Sequence, residues 1–247
     1  MERKDNKDNG TVMNKIMEAY RDAERRCLAG EDMHVHFSDA NGKTGMVGID
    51  LLPLITCHGR CRELCGFIEE GKALPPCYAC RVVNQYPDAR RNYAENTALA
   101  IHRPAQYWAE VSAELRCQRT ARLFGSGDMI IAGYLDHLVT VARANSHCEI
   151  YGMTKCEEII NKWISENGPL PENLHILLSR WKGYEPHNPH NLPTTAVYED
   201  ERPTEWLPCC GDCKACFRAQ AGCWAAKAGD IVGFKYHGPK NAKRSNK

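Results

Sequence analysis

Apolar and polar positions along the chain follow two different periods, which predict strands and helices in turn. Short aliphatic runs have the length and composition of buried strands: MVGIDLLPLI, ARLFGSGD, CEIYGMT, NLHILLS and PTTAVYED. Between most of them apolar residues recur at helical spacing, as in Leu135, Leu138 and Val139. Such alternation is typical of parallel strands with crossover helices. We predict an α/β fold, an open or incomplete (β/α) barrel with about five or six mainly parallel strands, fewer than a closed barrel has.

Changes of pattern along the chain define the predicted domain organisation. Residues 1–45 contain an amphipathic helix and are predicted to be an N-terminal appendage. Residues 46–200 are the predicted partial-barrel domain, with a cysteine-rich loop at 57–80 and a long helical region that restarts at Pro104, because proline suits the first turn of a helix. Residues 201–247 are predicted to be a cysteine-rich C-terminal segment that ends in a basic tail.

The chain carries fourteen cysteines in 247 residues, which is a high number for this length. A chain this long builds an ordinary hydrophobic core without disulfides. Its first residues, MERKDNKDNG, lack the apolar stretch of a secretory signal, and no run reaches the roughly 18 apolar residues of a membrane span. We therefore expect a cytoplasmic protein without a membrane partner, whose thiols stay reduced unless they bind metal or take part in redox chemistry.

Four cysteines near the C-terminus follow the spacing C-x2-C-x2-C-x6-C: Cys210, Cys213, Cys216 and Cys223. Three thiolates at such short intervals converge on one small inorganic core, as in ferredoxin-type loops, and a fourth ligand arrives from further along the chain. Structural zinc more often uses two C-x2-C pairs separated by a longer stretch. The pattern therefore favours an iron–sulfur cluster of the 4Fe–4S type, with zinc as the alternative metal.

A second group of cysteines follows the first predicted strand: Cys57, Cys61, Cys65, Cys77 and Cys80. Ligands of parallel sheets collect beyond the carboxyl ends of the strands, so this loop is a second candidate metal site. The alternative is that Cys57, Cys61 and Cys65 line one buried helical face as small apolar residues, since positions i, i+4 and i+8 lie on the same side of a helix. The sequence leaves open whether upstream and C-terminal cysteines share one cluster or hold two.

The tract Gly125-Ser126-Gly127-Asp128 follows the second predicted strand and therefore reaches the same edge of the sheet. Glycines in such a loop let backbone amides approach an anionic group, and the Asp128 carboxylate has acceptors for a hydroxyl or an amine. These four residues are our candidate cofactor-binding site. The competing interpretation is a tight turn in which Asp128 caps the following helix.

The charge balance argues against nucleic acid as a partner. A net charge of +1 is too small to create the broad basic field that nucleic-acid binding requires. The P-loop, dinucleotide-binding and serine-hydrolase motifs are absent from the sequence. The substrate, whether a small molecule or a macromolecule, and the oligomeric state are unknown at this stage.

Four stretches of the sequence carry a resemblance to a known family. They are Cys77-Tyr78-Ala79, Phe124-Gly125-Ser126-Gly127-Asp128, LPENLHILLSRWKG and the ending CGDCKACFRAQAGCWAAKAGDIVGFKYH. Together they resemble the phage and mobile-element family called gene product eighty-eight, over roughly residues 57–237. The resemblance implies a phage origin, and hence the cytoplasm of a bacterial host, together with a shared architecture. It implies no particular reaction and supplies no catalytic residues.

A more distant resemblance is to radical S-adenosylmethionine enzymes, partial barrels whose cysteine loop follows the first strand and leaves one iron open for the cofactor. Cys57, Cys61 and Cys65 occupy the equivalent place, but their C-x3-C-x3-C spacing departs from the usual C-x3-C-x2-C. If four upstream thiolates bind one cluster, no iron is open, and the cluster is structural or transfers electrons. If only three bind it, S-adenosylmethionine has a place as cofactor.

Two functional hypotheses follow from these patterns. In the first, the chain is a phage-type iron–sulfur protein, a redox or radical-type enzyme with a barrel-mouth cluster near Asp128 that acts on an unknown substrate. In the second, the metal is zinc and the chain is a non-catalytic binding module whose cysteine loops stabilise the fold. The content of iron, sulfide and zinc separates the two hypotheses.

Overall fold

An open parallel β-sheet forms the centre of the computed structural model, which describes residues 3–38, 45–59, 61, 77–181 and 183–235. Its seven strands are β1 (Val47–Ile49), β2 (Thr120–Leu123), β3 (Glu149–Thr154), β4 (Leu174–Ser179), β5 (Thr194–Tyr198), β6 (Leu207–Pro208) and β7 (Ile231–Lys235). They lie in the order β1-β2-β3-β4-β5-β7-β6, and every neighbouring pair is parallel. Strands β1 and β6 are the two edges, so the sheet is not closed.

Helices occupy most of the connections between the strands. They are α1 (Arg3–Leu28), α2 (Tyr78–Gln85), α3 (Pro87–His102), α4 (Pro104–Leu115), α5 (Tyr134–Ala144), α6 (Glu157–Asn167) and α7 (Cys213–Ala219), followed by a short 3-10 helix (Gly222–Trp224). From β1 to β5 the chain advances by one strand at a time. Right-handed crossovers in such an order place the connecting helices on one face of the sheet.

The predicted α/β architecture with parallel strands is confirmed, and each of the five predicted runs contains a strand. The sheet nevertheless has seven strands, and not the predicted five or six. Strands β6 and β7 were not predicted because neither has a strong strand pattern in the sequence. Strand β6 is two residues long and ends in Pro208, and Gly233 interrupts the short apolar run of β7. Pairing with their neighbours holds both strands in place.

The two faces of the sheet bury different clusters, because successive side chains of a strand point to opposite sides. Ile150 of β3 and Ile176 of β4 belong to the main core, which they form with the helices. Their neighbours Tyr151 and Leu177 lie in a smaller cluster with Trp224. Four cysteines pack against this smaller cluster: Cys209, Cys213, Cys216 and Cys223. The C-terminal segment therefore covers the face of the sheet opposite the main core.

Helix α1 packs along α3, and the amphipathic pattern of this segment is confirmed. Val12 and Ile16 are buried in the main core. The Arg26 guanidinium donates to one Glu95 carboxylate oxygen at 2.6 Å, and His36 Nε2 lies 2.6 Å from the other oxygen. Residues of the predicted N-terminal appendage therefore share the main core with the central sheet, and β6 and β7 join the C-terminal segment to that sheet.

Two features of the sequence lie outside the described residues: the predicted ligand Cys65 and the basic tail within residues 236–247. Among the helices that are described, none combines the length and the apolarity needed to cross a lipid bilayer.

Candidate functional site

The loops that follow β1 and β2 meet at the carboxyl end of the sheet. Asp50 comes directly after β1, and its Oδ1 accepts a hydrogen bond from the Ser126 backbone amide at 2.9 Å. The Leu51 amide in turn donates to the Ser126 carbonyl oxygen at 3.0 Å. Gly125 approaches so closely that a β-carbon there would lie 2.6 Å from Asp50 Oδ1. The first half of the predicted cofactor tract is thus fixed against the loop that leads to the upstream cysteines.

The second half of that tract is Gly127 and Asp128, and the Asp128 side chain is hydrogen-bonded to neighbouring parts of the protein. The Asp128 carboxylate accepts hydrogen bonds from Thr154 Oγ1 at 2.5 Å and from the backbone amides of Met129 and Lys155 at 2.9 and 3.0 Å. Burial raises the pKa of Asp128, and these hydrogen bonds oppose the shift. Asp128 therefore connects the loop after β2 with the end of β3.

A cavity of about 100 Å³ opens beside Asp50, and we call it the strand-end cavity. Polar residues in its wall are Ser38, Asp50, Tyr78, Tyr93, Arg122 and Ser126. Asp50 also accepts hydrogen bonds from Ser38 Oγ at 3.3 Å and from the Tyr93 hydroxyl. Burial raises the pKa of Asp50, and the positive charge of Arg122 is the largest opposing influence. The cavity therefore brings a buried carboxylate close to a guanidinium.

Four upstream cysteines come together next to this cavity, and we call them the upstream thiol group: Cys57, Cys61, Cys77 and Cys80. Cys57 Sγ accepts a hydrogen bond from the Leu54 amide at 3.3 Å. The side chain of Cys57 is hydrogen-bonded to that of Cys61, and the side chain of Cys77 to that of Cys80. Residues 78 and 79, between the second pair, line the strand-end cavity.

Several ionisable thiols of the upstream group share one mostly buried volume. The hydrogen bond with Cys61 and then burial raise the pKa of Cys57 well above its usual range. The hydrogen bond with Cys77, burial, and the nearby charges of Cys77, Cys57 and Cys61 raise the pKa of Cys80. Without a cation, the raised pKa values of Cys57 and Cys80 favour the protonated thiols, whereas a metal binds the thiolate form. The donor set is one that zinc and iron–sulfur clusters accept.

A second set of neighbouring cysteines is the C-terminal thiol group: Cys209, Cys210, Cys213, Cys216 and Cys223. Asp212 forms the N-cap of α7, where its Oδ1 accepts a hydrogen bond from the Ala215 amide at 3.0 Å. This cap begins the helix at Cys213 and places Cys216 one turn later. The local sequence thus presents two thiols from the same side of a short helix.

The remaining thiols of this C-terminal group contact the helix and the sheet. A hydrogen bond between the side chains of Cys210 and Cys216 lowers the pKa of Cys210. Burial raises the pKa of Cys223 to about 12, and the neighbouring Cys209, Cys213 and Cys216 add to the rise. The Tyr151 hydroxyl donates to Cys223 Sγ at 3.5 Å, which joins the thiol group to β3.

The thiols contact one another in pairs and do not form a closed ligand set. Across the residues that the structure describes, no three His, Cys, Asp or Glu side chains are grouped as they would be around a metal ion. In the same part of the chain, no disulfide joins two cysteines. Those predicted ligands that the structure describes lie near one another within each group, but they are not arranged around a metal position.

Both thiol groups and the cavity lie in the part of the chain that matches a known protein family. A family model described as Gene product 88 matches residues 23–237, which is most of the chain. The chain belongs to the Gene product 88 family. No curated protein and no solved structure matches it, and nothing in the comparisons supports the resemblance to radical S-adenosylmethionine enzymes. The Gene product 88 match runs from within α1 to the residues just after β7 and so includes every element of the sheet.

Within the region of the Gene product 88 match, the two thiol groups occupy different parts of the fold. Cys80 is buried in the main core, whereas Cys213, Cys216 and Cys223 pack against the smaller cluster on the opposite face. The structure therefore separates two groups that the cysteine spacing alone leaves open to a shared site.

Four polar residues of the strand-end cavity were not among the sequence predictions: Ser38, Asp50, Tyr93 and Arg122. The sequence contains a feature that could have identified two of them, Asp50 and Arg122. Asp50 ends an apolar run at the position where parallel strands collect ligands, and Arg122 is a charge inside an otherwise apolar strand. A charged residue in an otherwise apolar strand costs free energy to bury unless it has a partner, so it indicates a functional or structural role.

Proposed function

We propose that this member of the Gene product 88 family is an iron–sulfur protein with a 4Fe–4S cluster in each thiol group. The observation that carries the proposal is the convergence of Cys57 and Cys61 with Cys77 and Cys80, which are close enough for their charges to interact. Apolar packing gives no reason for four thiols to meet at one strand end, whereas a metal ion or cluster that all four thiols bind does. Thiolate-rich sites select zinc or iron–sulfur clusters among the common metals.

The C-terminal thiol group supports the iron–sulfur proposal through the spacing of its cysteines and through the elements that carry them. The C-x2-C-x2-C run supplies three thiolates from one loop and the first turn of α7, and Cys223 supplies a fourth from the 3-10 helix. In this proposal the C-terminal cluster fixes the segment that covers the second face of the sheet and relays electrons. Closing the ligand set requires the paired thiols to exchange their mutual hydrogen bonds for metal.

The upstream cluster is the reaction centre in this proposal, because it lies next to the strand-end cavity. Tyr78 and Ala79 line the cavity at the start of α2, with Cys77 before them as the N-cap residue and Cys80 directly after them. A substrate held in the cavity would therefore lie close to a redox or radical-type centre. S-adenosylmethionine is a candidate cofactor only where three thiols bind the cluster and one iron remains open.

The second candidate function is a zinc-stabilised binding module. Its supporting observation is the Asp212 cap, which presents Cys213 and Cys216 from one helical turn with Cys210 and Cys223 nearby. Zinc accepts such a four-thiolate set, and the metal would then contribute folding free energy without redox chemistry.

Paired serine substitutions test the metal assignment. We expect Cys213→Ser with Cys216→Ser to remove the C-terminal cluster, and Cys57→Ser with Cys80→Ser to remove the upstream one. Each double variant, purified without oxygen, should lose about half of the iron and sulfide of the native chain. Cys117→Ser is the matched control, since Cys117 is exposed after α4 and belongs to neither thiol group.

Unchanged iron content in either double variant would contradict the cluster assigned to that group. Loss of zinc from a chain that never held sulfide would replace the iron–sulfur proposal with the second candidate.

A further inference from the structure

The strand-end cavity holds one negative and one positive side chain that do not form an ion pair with each other. Arg122 and Asp50 both lie in its wall, and the charge of Arg122 is felt at the Asp50 carboxylate. Among the described residues, none forms a hydrogen bond or an ion pair with the Arg122 guanidinium. The guanidinium therefore retains its five donors for a ligand.

The Asp50 carboxylate is held in place but not saturated. The Ser126 amide, Ser38 Oγ and the Tyr93 hydroxyl donate to it. Two carboxylate oxygens have about four acceptor positions, so roughly one remains for a donor on a ligand. These three contacts fix the direction in which the remaining position points.

Ser126 adds an unused polar group to the same wall. The residue is only 4% exposed, and its Oγ has no hydrogen-bond partner among the described residues. A buried hydroxyl without a partner is destabilising, and such groups are rare in folded proteins unless a bound molecule uses them. Ser126 therefore points to a ligand independently of the two charges.

The shape of the cavity limits what it can hold. A cavity volume of about 100 Å³ suits the head group of a small molecule and is too small for a whole nucleotide. Gly48 pairs in register with Arg122 and has no side chain to fill the space. Tyr78 is 63% exposed where it lines the cavity, so the rest of a larger ligand can extend along its ring.

We propose that the strand-end cavity binds the head of a small zwitterion of the α-amino acid class. The ligand carboxylate faces Arg122 and Ser126, and its ammonium group donates to Asp50. A simple anion would pair with Arg122 but place a second negative charge beside the Asp50 carboxylate. A simple cation would pair with Asp50 but leave Arg122 without a counter-charge, so only a ligand with both charges compensates the site. The proposal does not depend on which metal the thiol groups hold.

Three matched probes test this inference on the full-length protein: L-alanine, propionate and ethylamine. Propionate lacks the amine and ethylamine lacks the carboxylate, so each removes one of the two contacts. Ligand-detected NMR titration should show L-alanine binding at least about ten-fold more tightly than either, because each lost charged hydrogen bond costs about a factor of ten.

Variants identify the residues that bind the probe. Arg122→Gln and Asp50→Asn should each weaken L-alanine binding about ten-fold or more, and Ser126→Ala several-fold. Arg116→Gln is the control, because Arg116 is an exposed arginine after α4 and the charge change is the same. Should Asp50→Asn fail to fold, Arg122→Gln still decides, since that side chain is only partly buried.

Propionate binding as tight as L-alanine would overturn the zwitterion assignment in favour of a plain anion site. No L-alanine signal at about 10 mM, or equal weakening by Arg116→Gln, would overturn the site itself.

Discussion

Gly127 lies where the loop after β2 packs tightly against the loop after β1. Its φ of +75° lies in the left-handed region that favours glycine, and a β-carbon there would lie 2.4 Å from Thr56 Oγ1 and 2.7 Å from Leu51 Cβ. Next to it, the Asp128 amide donates to Thr56 Oγ1 at 3.2 Å. The absence of one side chain thus lets the predicted cofactor tract lie against the loop that carries Cys57.

We expect Gly127→Ala to lower the free energy of unfolding by about 3 kcal/mol. The left-handed backbone costs about 1 kcal/mol or more with a β-carbon, and the overpacking adds about 1–3 kcal/mol. Gly30→Ala is the control, because Gly30 has a φ of +79° but no atom within 4 Å of the added β-carbon. Urea unfolding of both variants measures the difference, and equal losses would show that the close approach at Gly127 is unimportant.

Among the secondary-structure elements, α7 depends most on its ends. It has seven residues, none of them buried, so packing contributes little to its stability. The Asp212 cap starts it, and Gln220 ends it in a left-handed conformation. A helix this short presents Cys213 and Cys216 in a fixed geometry only while its cap, or a bound metal, holds it.

We expect Asp212→Ala to release iron from the C-terminal thiol group to a chelator about five-fold faster than the native chain. The expected loss of capping energy is about 1 kcal/mol, which corresponds to roughly that factor. Asp212→Asn keeps a capping oxygen and should release iron at nearly the native rate. Equal rates for the alanine and asparagine variants would mean that the cap does not support the ligand set.

Elements with a strong pattern of their own were predictable from the sequence, and elements held by their neighbours were not. Helices α3 and α4 were separable because Pro104 begins the second of them. Strand β7 was missed because Gly233 breaks its apolar run, and its place between β5 and β6 comes from pairing alone. That insertion carries the C-terminal cysteines across to the second face of the sheet.

For the molecule as a whole, the sequence marked two runs of cysteines but showed neither whether they share one site nor what lies beside them. The strand-end cavity exists because parallel register sets Arg122 opposite Gly48, two residues before Asp50. Register between strands far apart in sequence leaves no local trace, since it is fixed by the whole set of buried faces. The position of the upstream thiol group next to a charged cavity therefore emerges only in the folded chain.

The central claim is that each thiol group holds a 4Fe–4S cluster, and metal analysis of the native chain tests it most directly. The protein is purified without oxygen, and iron, acid-labile sulfide and zinc are quantified together with an optical spectrum. We expect about eight irons and eight sulfides per chain, with the visible absorption of iron–sulfur clusters. Zinc without sulfide in a colourless protein would contradict the claim and leave the zinc-stabilised binding module in its place.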